Sequence, residues 1–293
     1  MYNFKKNAKL YIVENGNKHS VEIYSDISAS QTFDEQSYRL KTLHNLNDLH
    51  EGATITRASP VSFQFTSPII DIASTPIILS LATSYSEGTV PNFDIYIESD
   101  NVKYKIEKAV IETSTFNIER NTVLTVSIKG SGSKLSLFTG TIPGIPVNVG
   151  VREYARVMGV RVSINSQILD SIASINLDIN NDVSWTNNNT LQESLVGNMI
   201  YPLSYVVQSR RVSGSVTQFL TSENVNSLSD TTTSYPMVID ILSSISQAIP
   251  FLRFNLPSSV FTRRLNTDEI FNRVYDFRLN SNSITVKPIY KGV

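Results

Sequence analysis

The chain has 293 residues and a formal net charge of −1, so overall charge favours neither nucleic acid nor an anionic membrane as a partner. Charged residues make up 17 % of the chain, below the roughly 25 % of typical globular proteins, and Ser, Thr and Asn take their place. There is no cysteine, which excludes disulfides and thiolate metal sites.

The two most apolar segments are too interrupted to cross a membrane. Asp71 and Pro76 break the first, and Asp240 and Pro250 break the second. Neither segment reaches the ~20 uninterrupted apolar residues that a membrane span needs. No apolar segment follows Lys6 near the N-terminus, so a signal peptide is not predicted. We therefore expect a soluble protein that is assembled in a reducing compartment.

The N-terminal region predicts strands around one ambiguous segment. Lys9–Tyr24 has alternating apolar residues on either side of Asn15-Gly16, a strong hairpin signal. Ile27–Phe33 extends this strand pattern. In Asp34–Gly52 leucines recur every three residues, which fits either a short irregular helix or a long loop with apolar anchors. Thr54–Thr66 returns to strand, with apolar residues on one face.

A short helix and further strands are predicted next. Ile77–Thr83 is preceded by Ser74 at the N-cap position and by Pro76 near the first helical position. The strands that follow are Pro91–Glu98, Asn101–Glu107, Val110–Ile118 and Val123–Lys129. Gly130-Ser131-Gly132 is expected to end the last of them, and the Gly/Pro cluster at Gly140–Pro146 marks a domain boundary.

The second half repeats this order. Arg161–Ile168 and Ser171–Ile179 predict a strand pair, and a polar loop at Asn180–Gln192 contains the only tryptophan, Trp185. The apolar stripe of Val238–Ile249 predicts a helix. The other predicted strands are Val206–Leu220, Phe251–Leu256, Ile270–Leu279 and Ile284–Tyr290.

Two short matches indicate an internal duplication. Ser74-Thr75-Pro76 and Ser234-Tyr235-Pro236 begin 160 residues apart, and Leu124-Thr125-Val126 is echoed at the same spacing by Ile284-Thr285-Val286. The interpretation is two tandem domains, residues 1–142 and 147–293. The alternative is that two β-rich domains share turn chemistry by chance.

No motif supports an enzyme, a metal site or a cofactor. Asp178-Ile179-Asn180-Asn181-Asp182 begins like a calcium loop, but Val183 and Asn189 stand where glycine and a bidentate acid are needed; a solvated strand end is the better interpretation. The three histidines lack metal-pair spacing, and no G-x-S-x-G occurs. Arg210-Arg211 suggests either a contact to carboxylates of a neighbouring subunit or ordinary solvated charge.

Tyr104–Ile111 and Phe116–Gly132 together resemble the late hairpin of phage tail tube proteins. In that family a Y-x-I-x-x-A-V-I strand is followed by a turn and a strand ending in G-x-G. The second copy, Val274–Val286, lacks the terminal G-x-G. The resemblance implies a mainly β fold with short helices (α+β), built from two tandem tail-tube-like β-sandwich or partial-barrel domains. Some siphophages have such fused copies, so that three chains form a pseudo-hexameric ring.

The resemblance also implies a function. The expected protein is a virion structural component whose rings stack into the phage tail tube, a conduit for DNA ejection. Its partners would be copies of itself and other tail or baseplate proteins, with DNA passing non-specifically through the lumen. It would be located in the virion tail after assembly in the host cytoplasm. The alternatives are a baseplate tube-initiation, tail-completion or receptor-binding β module; a β-rich hydrolase would need a catalytic constellation that the sequence does not show.

Residues in the two long loops are the hypothesised interaction sites. Asp34–Gly52 and Asn180–Pro202 would contact stacked rings, while edge strands of neighbouring subunits would close an inner barrel. The hypothesised interaction residues are Leu43, His44, Leu46, Trp185, Asn187, Asn188, Arg210 and Arg211.

Overall fold

The computed structural model describes residues 8–23, 27–41, 49–69, 77–86, 88–99, 102–147, 156–186, 200–222, 224, 233–242, 250–267, 270–280 and 284–288. The first part of the chain contains α1 (Ile77–Thr83) and the strands β1 (Lys9–Glu14), β2 (Asn17–Val21), β3 (Ser28–Ser30), β4 (Phe33–Lys41), β5 (Leu49–Ala58), β6 (Val61–Pro68), β7 (Phe93–Ser99), β8 (Val102–Glu119), β9 (Thr125–Gly132), β10 (Lys134–Phe138) and β11 (Ile145–Pro146). The second part contains β12 (Gly159–Ile164), β13 (Gln167–Leu169), β14 (Ile172–Thr186), β15 (Ser204–Phe219), β16 (Tyr235–Leu242), β17 (Leu252–Thr267), β18 (Phe271–Leu279) and β19 (Thr285–Pro288). The described fold is mainly β, as predicted, with a single helix among the described residues.

Eight strands form one antiparallel sheet, here called the long sheet. Its order is β3–β6–β9–β8–β14–β15–β18–β17. The β8–β14 pair, here called the seam, joins the two parts of the chain between Glu119–Ser174 and Thr113–Asn180. Among the described strands the long sheet does not close on itself. β3 pairs only with β6, and the C-terminal half of β17 pairs only with β18.

Two smaller outer sheets pack on the long sheet. The N-terminal halves of β8 and β17 leave the long sheet and join the orders β2–β1–β7–β8–β10 and β13–β12–β16–β17–β19. Apolar side chains between the layers form one core that spans both parts. In it the ring centroids of Phe116 in β8 and Phe254 in β17 lie 5.3 Å apart, edge to face. No helix in the described ranges is long and apolar enough to span a membrane.

Seven antiparallel strand pairings of the first part each have a counterpart in the second, whereas the short parallel pair β11–β2 has none among the described strands. The first part has β1–β2, β1–β7, β7–β8, β8–β10, β8–β9, β9–β6 and β6–β3. The second part has β12–β13, β12–β16, β16–β17, β17–β19, β17–β18, β18–β15 and β15–β14. The backbone of each part therefore follows the same antiparallel course.

The predicted N-terminal hairpin is confirmed, and its turn has a counterpart. Asn15 and Gly16 have φ values of 49° and 79°, and Asn165 and Ser166 between β12 and β13 have 48° and 66°. Positive φ at both central residues is the turn geometry that suits the right-handed twist of a two-residue hairpin. Glycine or asparagine adopts it at little cost, whereas Ser166 is an unusual occupant.

The interpretation of Asp34–Gly52 as a short helix or a loop is wrong in its described residues. Phe33–Lys41 and Leu49–Ala58 form a separate antiparallel hairpin, β4–β5, with a bulge between Asp34 and Glu35. Residues 42–48 lie outside the described residues. A leucine spacing of three fits no regular strand face, so the pattern concealed the pairing.

The predicted helix at Val238–Ile249 is also wrong for its described residues, because they form the end of β16. Ile239, Asp240 and Ile241 are all buried, since β16 lies between β12 and β17 and is covered on both faces. A strand of this kind is apolar at consecutive positions, which a helical stripe can imitate. Pro236 sits at a register shift between β16 and β17, where a missing N–H is tolerated.

Both matches that suggested a spacing of 160 residues fall on non-corresponding elements. The first described residues after Ser74-Thr75-Pro76 form α1, whereas Ser234-Tyr235-Pro236 leads into β16. Leu124-Thr125-Val126 begins β9, whose counterpart by pairing is β18 and not β19. The correspondence between the parts is therefore one of strand pairing and not of these short motifs.

Three smaller expectations need correction. The strand pair of Arg161–Ile168 with Ser171–Ile179 does not form, because β12 pairs with β13 and β14 with β15. The two strands expected on either side of Lys108 are one strand, β8, bent where Lys108 has a φ of 51°. Asn180–Gln192 is not a loop in its described residues, because Asn180–Thr186 belong to β14. Gly130-Ser131-Gly132 ends β9 as expected, since the strand runs to Gly132.

Candidate functional site

The face of the long sheet opposite the core is polar from one edge to the other. Along β14 the residues Ile175, Leu177 and Ile179 are buried, and the intervening side chains are polar and partly exposed. Ser, Thr and Asn occupy the same face on β6, β8, β9 and β15. This period of two is that of a sheet with one wet side, and we call its surface the polar face.

Hydrogen bonds between side chains on the polar face span the seam. Thr115 Oγ1 donates to Asp178 Oδ1 at 2.7 Å, and Thr113 Oγ1 donates to Asn180 Oδ1 at 3.0 Å. The segment once compared with a calcium loop is thus part of a paired strand, where its oxygens accept from threonines. Within the described residues, no group of three or more His, Cys, Asp or Glu side chains could hold a metal ion.

Charges on the polar face balance. The cross-strand registers place four basic and four acidic side chains on it: Lys129, Arg211, Arg264, Arg278, Glu119, Asp178, Asp182 and Asp276. Arg264 donates two hydrogen bonds to the Asp276 carboxylate, of 2.5 and 2.8 Å. These hydrogen bonds raise the pKa of the Arg264 guanidinium. Such a surface has no net attraction for a polyanion.

The end of the β14–β15 pair, here called the tip (residues 181–186 and 200–209), packs on the first part of the chain. Trp185 is buried, and its indole N–H donates to Ser131 Oγ at 2.7 Å. Asn181 Nδ2 donates to the carbonyl of Ile111 at 2.9 Å, and Tyr205 Oη donates to that of Val90 at 2.8 Å. A small apolar cluster of Val90, Val110, Trp185 and Val207 completes the contact.

Arg210 fastens the same tip to the helix. Its guanidinium donates to the carbonyls of Thr83 and Ser84 at 2.8 and 3.0 Å, at the C-terminal end of α1. Cations are favoured at that end because the last helix carbonyls lack partners there. Burial lowers the pKa of Arg210 to about 10, so it remains charged at neutral pH.

Among the described strands, the edge of the long sheet at β17 is open. A groove of about 650 Å³ lies where β15, β18 and β17 diverge, and its lining includes Arg211, Val260, Arg278 and Asn280. Val260 is 45 % exposed, and Leu265 further along the same edge is 60 % exposed. An unpaired strand edge with exposed apolar side chains is a template for another chain.

A model of the Bacteriophage Baseplate Tube Protein Family matches residues 1–292. The chain belongs to this family. No curated protein matches it. As a baseplate tube protein it has a structural role in the phage tail or baseplate and assembles with other components there. The predicted relationship to phage tail tube proteins is confirmed at this level.

A structural protein of the tail is not expected to be an enzyme. In this baseplate tube protein the polar face and the open edges are therefore the candidates for function. Of the hypothesised interaction residues, Trp185 and Arg210 contact the same chain, as described above, and Arg211 is exposed on the polar face beside the groove. Five others lie outside the residues whose side chains the structure describes: Leu43, His44, Leu46, Asn187 and Asn188.

Sequence reasoning missed Ser131, which receives the tip, and Thr113 and Thr115 at the seam. The threonines alternate with buried residues along β8, so the alternation identified a wet face. It did not identify which strand lies opposite, because that strand is more than 60 positions away in sequence.

Proposed function

We propose that the chain is a duplicated tail-tube-like protein of two domains, residues 1–142 and 147–293, and that three copies close into a pseudo-hexameric ring of the tube. The observation that carries the proposal is the seam. It joins β8 of the first part to β14 of the second, and the counterparts of these strands, β17 and β3, are the two open edges. The long sheet thus has β3 as the edge on one side and β17 as the edge on the other, which favours a head-to-tail ring.

The matched pairings also give a register for closure. The cross-strand row Ser28–Gln64–Lys129–Thr113 follows the same course as the row Asp178–Ser213–Arg278–Val260. At the seam Thr115 lies opposite Asp178 and Thr113 opposite Asn180. By the same geometry Thr262 of one chain lies opposite Ser28 of the next, and Val260 lies opposite Ser30.

In such a ring the polar faces line the lumen. Three copies of the eight-stranded sheet enclose a channel, because large barrels leave an aqueous interior. The balanced charge of the polar face suits a conduit through which DNA passes without being held. Stacked on neighbouring rings in the tail, the protein would serve as a section of the tube used for DNA ejection, assembled in the host cytoplasm before joining the virion.

Negative-stain electron microscopy of the purified protein across a range of concentrations tests the ring. We expect closed rings of three chains with a six-lobed outline, and tubes if the protein stacks on itself. Rings that never stack would assign it to tube initiation or tail completion. Compact monomers at every concentration would overturn the ring and favour a receptor-binding module.

Cysteine cross-linking tests the register of closure, and the absence of native cysteines keeps the background clean. Under oxidation, Ser28→Cys with Thr262→Cys should yield covalently linked trimers, since opposite residues of paired strands are about 4.5–5.5 Å apart. Thr115→Cys with Asp178→Cys is the matched positive control, and it should form a bond within one chain. Ser28→Cys with Asn266→Cys, four residues out of register, should stay unlinked; linkage there instead would contradict the pairing.

A further inference from the structure

The tip packs on a particular surface of the first part, and the second part has a counterpart of that surface. Counting on from Lys129 and Arg278, which hold equivalent places in β9 and β18, Ser131 corresponds to Asn280. Ile111 lies opposite Gly130, and Ser259 lies opposite Leu279. Because Gly130 and Leu279 directly precede Ser131 and Asn280, Ile111 and Ser259 also correspond. In the first part the surface is covered by Trp185 and its neighbours.

In the second part the same surface is uncovered in the described chain. Asn280 is exposed, and Val260 on the neighbouring strand is 45 % exposed. The basic groove that contains Arg211 and Arg278 opens beside Asn280.

The β4–β5 hairpin is the counterpart of the tip. β3 and β14 occupy equivalent places beside β6 and β15. Each of these strands continues into a hairpin that contains a bulge, at Asp34/Glu35 in the first part and at Asp182/Val183 in the second. Counted on from Ser28 and Asp178, which hold equivalent places in β3 and β14, Phe33 takes the place of Val183 and Glu35 that of Trp185, and both places lie in the docked tip.

The hairpin presents an apolar and acidic surface to solvent. Phe33 and Ile55 are 43 % and 48 % exposed, and Glu35 is exposed between them on the strand pair. Exposed large apolar side chains close to charge are typical of a surface that docks on a partner. An acidic residue on this side complements the arginines of the groove.

We infer that the β4–β5 hairpin of one copy docks on the second part of the neighbouring copy, against Asn280, with Glu35 directed at Arg211 and Arg278. This inference rests on the proposed ring, and it names the surfaces that fasten one chain to the next beyond the paired edges. The partner is a second copy of this chain, because the occupant of the equivalent surface in the first part is this chain's own tip.

A charge-reversal cycle tests the contact. Glu35→Arg alone, and Arg211→Glu with Arg278→Glu, should each raise the protein concentration needed for ring formation by roughly tenfold or more, since like charges then face each other. The triple variant Glu35→Arg, Arg211→Glu, Arg278→Glu should restore assembly to near the original concentration. The matched control is Lys129→Glu, at the place in the first part that is equivalent to Arg278. Adding Glu35→Arg to this variant should not improve ring formation.

A second variant probes the apolar part of the contact. Ile55→Ala should weaken ring formation, whereas Phe219→Ala, which removes a side chain of similar exposure (41 %) elsewhere, should not. Circular dichroism and urea unfolding of each variant at concentrations too low for assembly check that the fold is intact. Rings and Ser28–Thr262 cross-links that persist unchanged in all the single reversals would overturn the docking while leaving the proposed function standing. No rings in the original protein would overturn the proposed function itself.

Discussion

The two parts of the chain share their strand pairings but fill equivalent positions with different chemistry. In the outer sheet of the first part, Lys105 lies over the ring of Tyr96, its cross-strand neighbour, at 5.8 Å from the centroid. In the second part, the corresponding neighbours Asp240 and Arg253 form an ion pair with two hydrogen bonds, of 2.6 and 2.9 Å. Backbone pairing conserves the architecture and leaves the side chains free to change.

The largest difference between the parts is that, among the described residues, the tip covers a surface of the first part and no segment covers its counterpart in the second. Trp185→Ala should therefore lower the free energy of unfolding by about 3–5 kcal/mol, as removal of a buried aromatic side chain does. Trp185→Phe keeps most of the packing and loses only the hydrogen bond to Ser131, so it should cost about 1 kcal/mol. Urea unfolding measures both, and equal costs for the two variants would mean that the indole packing contributes little.

Each part also contains a glycine pressed against a phenylalanine of the neighbouring strand. A Cβ on Gly130 would lie 2.5 Å from Cζ of Phe63, and one on Gly214 would lie 2.6 Å from Cζ of Phe277. Alanine at either position should destabilise the protein by about 1–3 kcal/mol through overpacking. Gly159→Ala is the control, since its Cβ would meet only ordinary contacts at 3.6 Å. Thermal or urea unfolding that fails to separate the three variants would contradict the close packing.

These contacts show what the sequence could and could not reveal. Alternation correctly predicted β15, the N-terminal hairpin and the buried face of β6, because each has one buried and one wet face or a strong turn signal. The single strand expected at Thr54–Thr66 is divided between β5 and β6. Alternation failed at β16, where both faces are buried and even Asp240 is 4 % exposed. It also could not find the seam or the docked tip, since the partners of Asp178 and Trp185 are set by packing between distant segments and not by local pattern.

The outer-sheet pair gives a third comparison. Asp240→Ala should lower the free energy of unfolding by about 1.5–3 kcal/mol, because it removes two charge-assisted hydrogen bonds from a buried carboxylate. Lys105→Ala removes a more exposed cation that lies over Tyr96 and pairs with Asp94 and Glu107, and it should cost about 0.5–1 kcal/mol because these contacts are partly solvated. If the two variants unfold at the same urea concentration, the substitution of one chemistry for the other is energetically equal and the expected order is wrong.

The smallest effect concerns His19 in β2, whose place in β13 is taken by Leu169. Burial lowers the pKa of His19, with Glu14 partly opposing the shift. The unfolded chain therefore binds more protons between that lowered pKa and about 6.5, so the stability contribution is full above this range and is lost as pH falls through it. His19→Leu should reduce the loss of stability between pH 7.5 and 5, measured by urea unfolding. An unchanged pH profile would show that His19 is solvated.

The inequality of the two open edges has a further consequence. β3 is three residues long and β17 sixteen, and in the proposed ring each edge joins the other kind, so every copy that is added leaves one edge of each kind open. Partial assemblies would be arcs with one donor end and one acceptor end, each still able to grow until closure. A copy with only one functional edge would therefore terminate an arc. A minority of such copies would be enough to prevent the remaining copies from closing into rings.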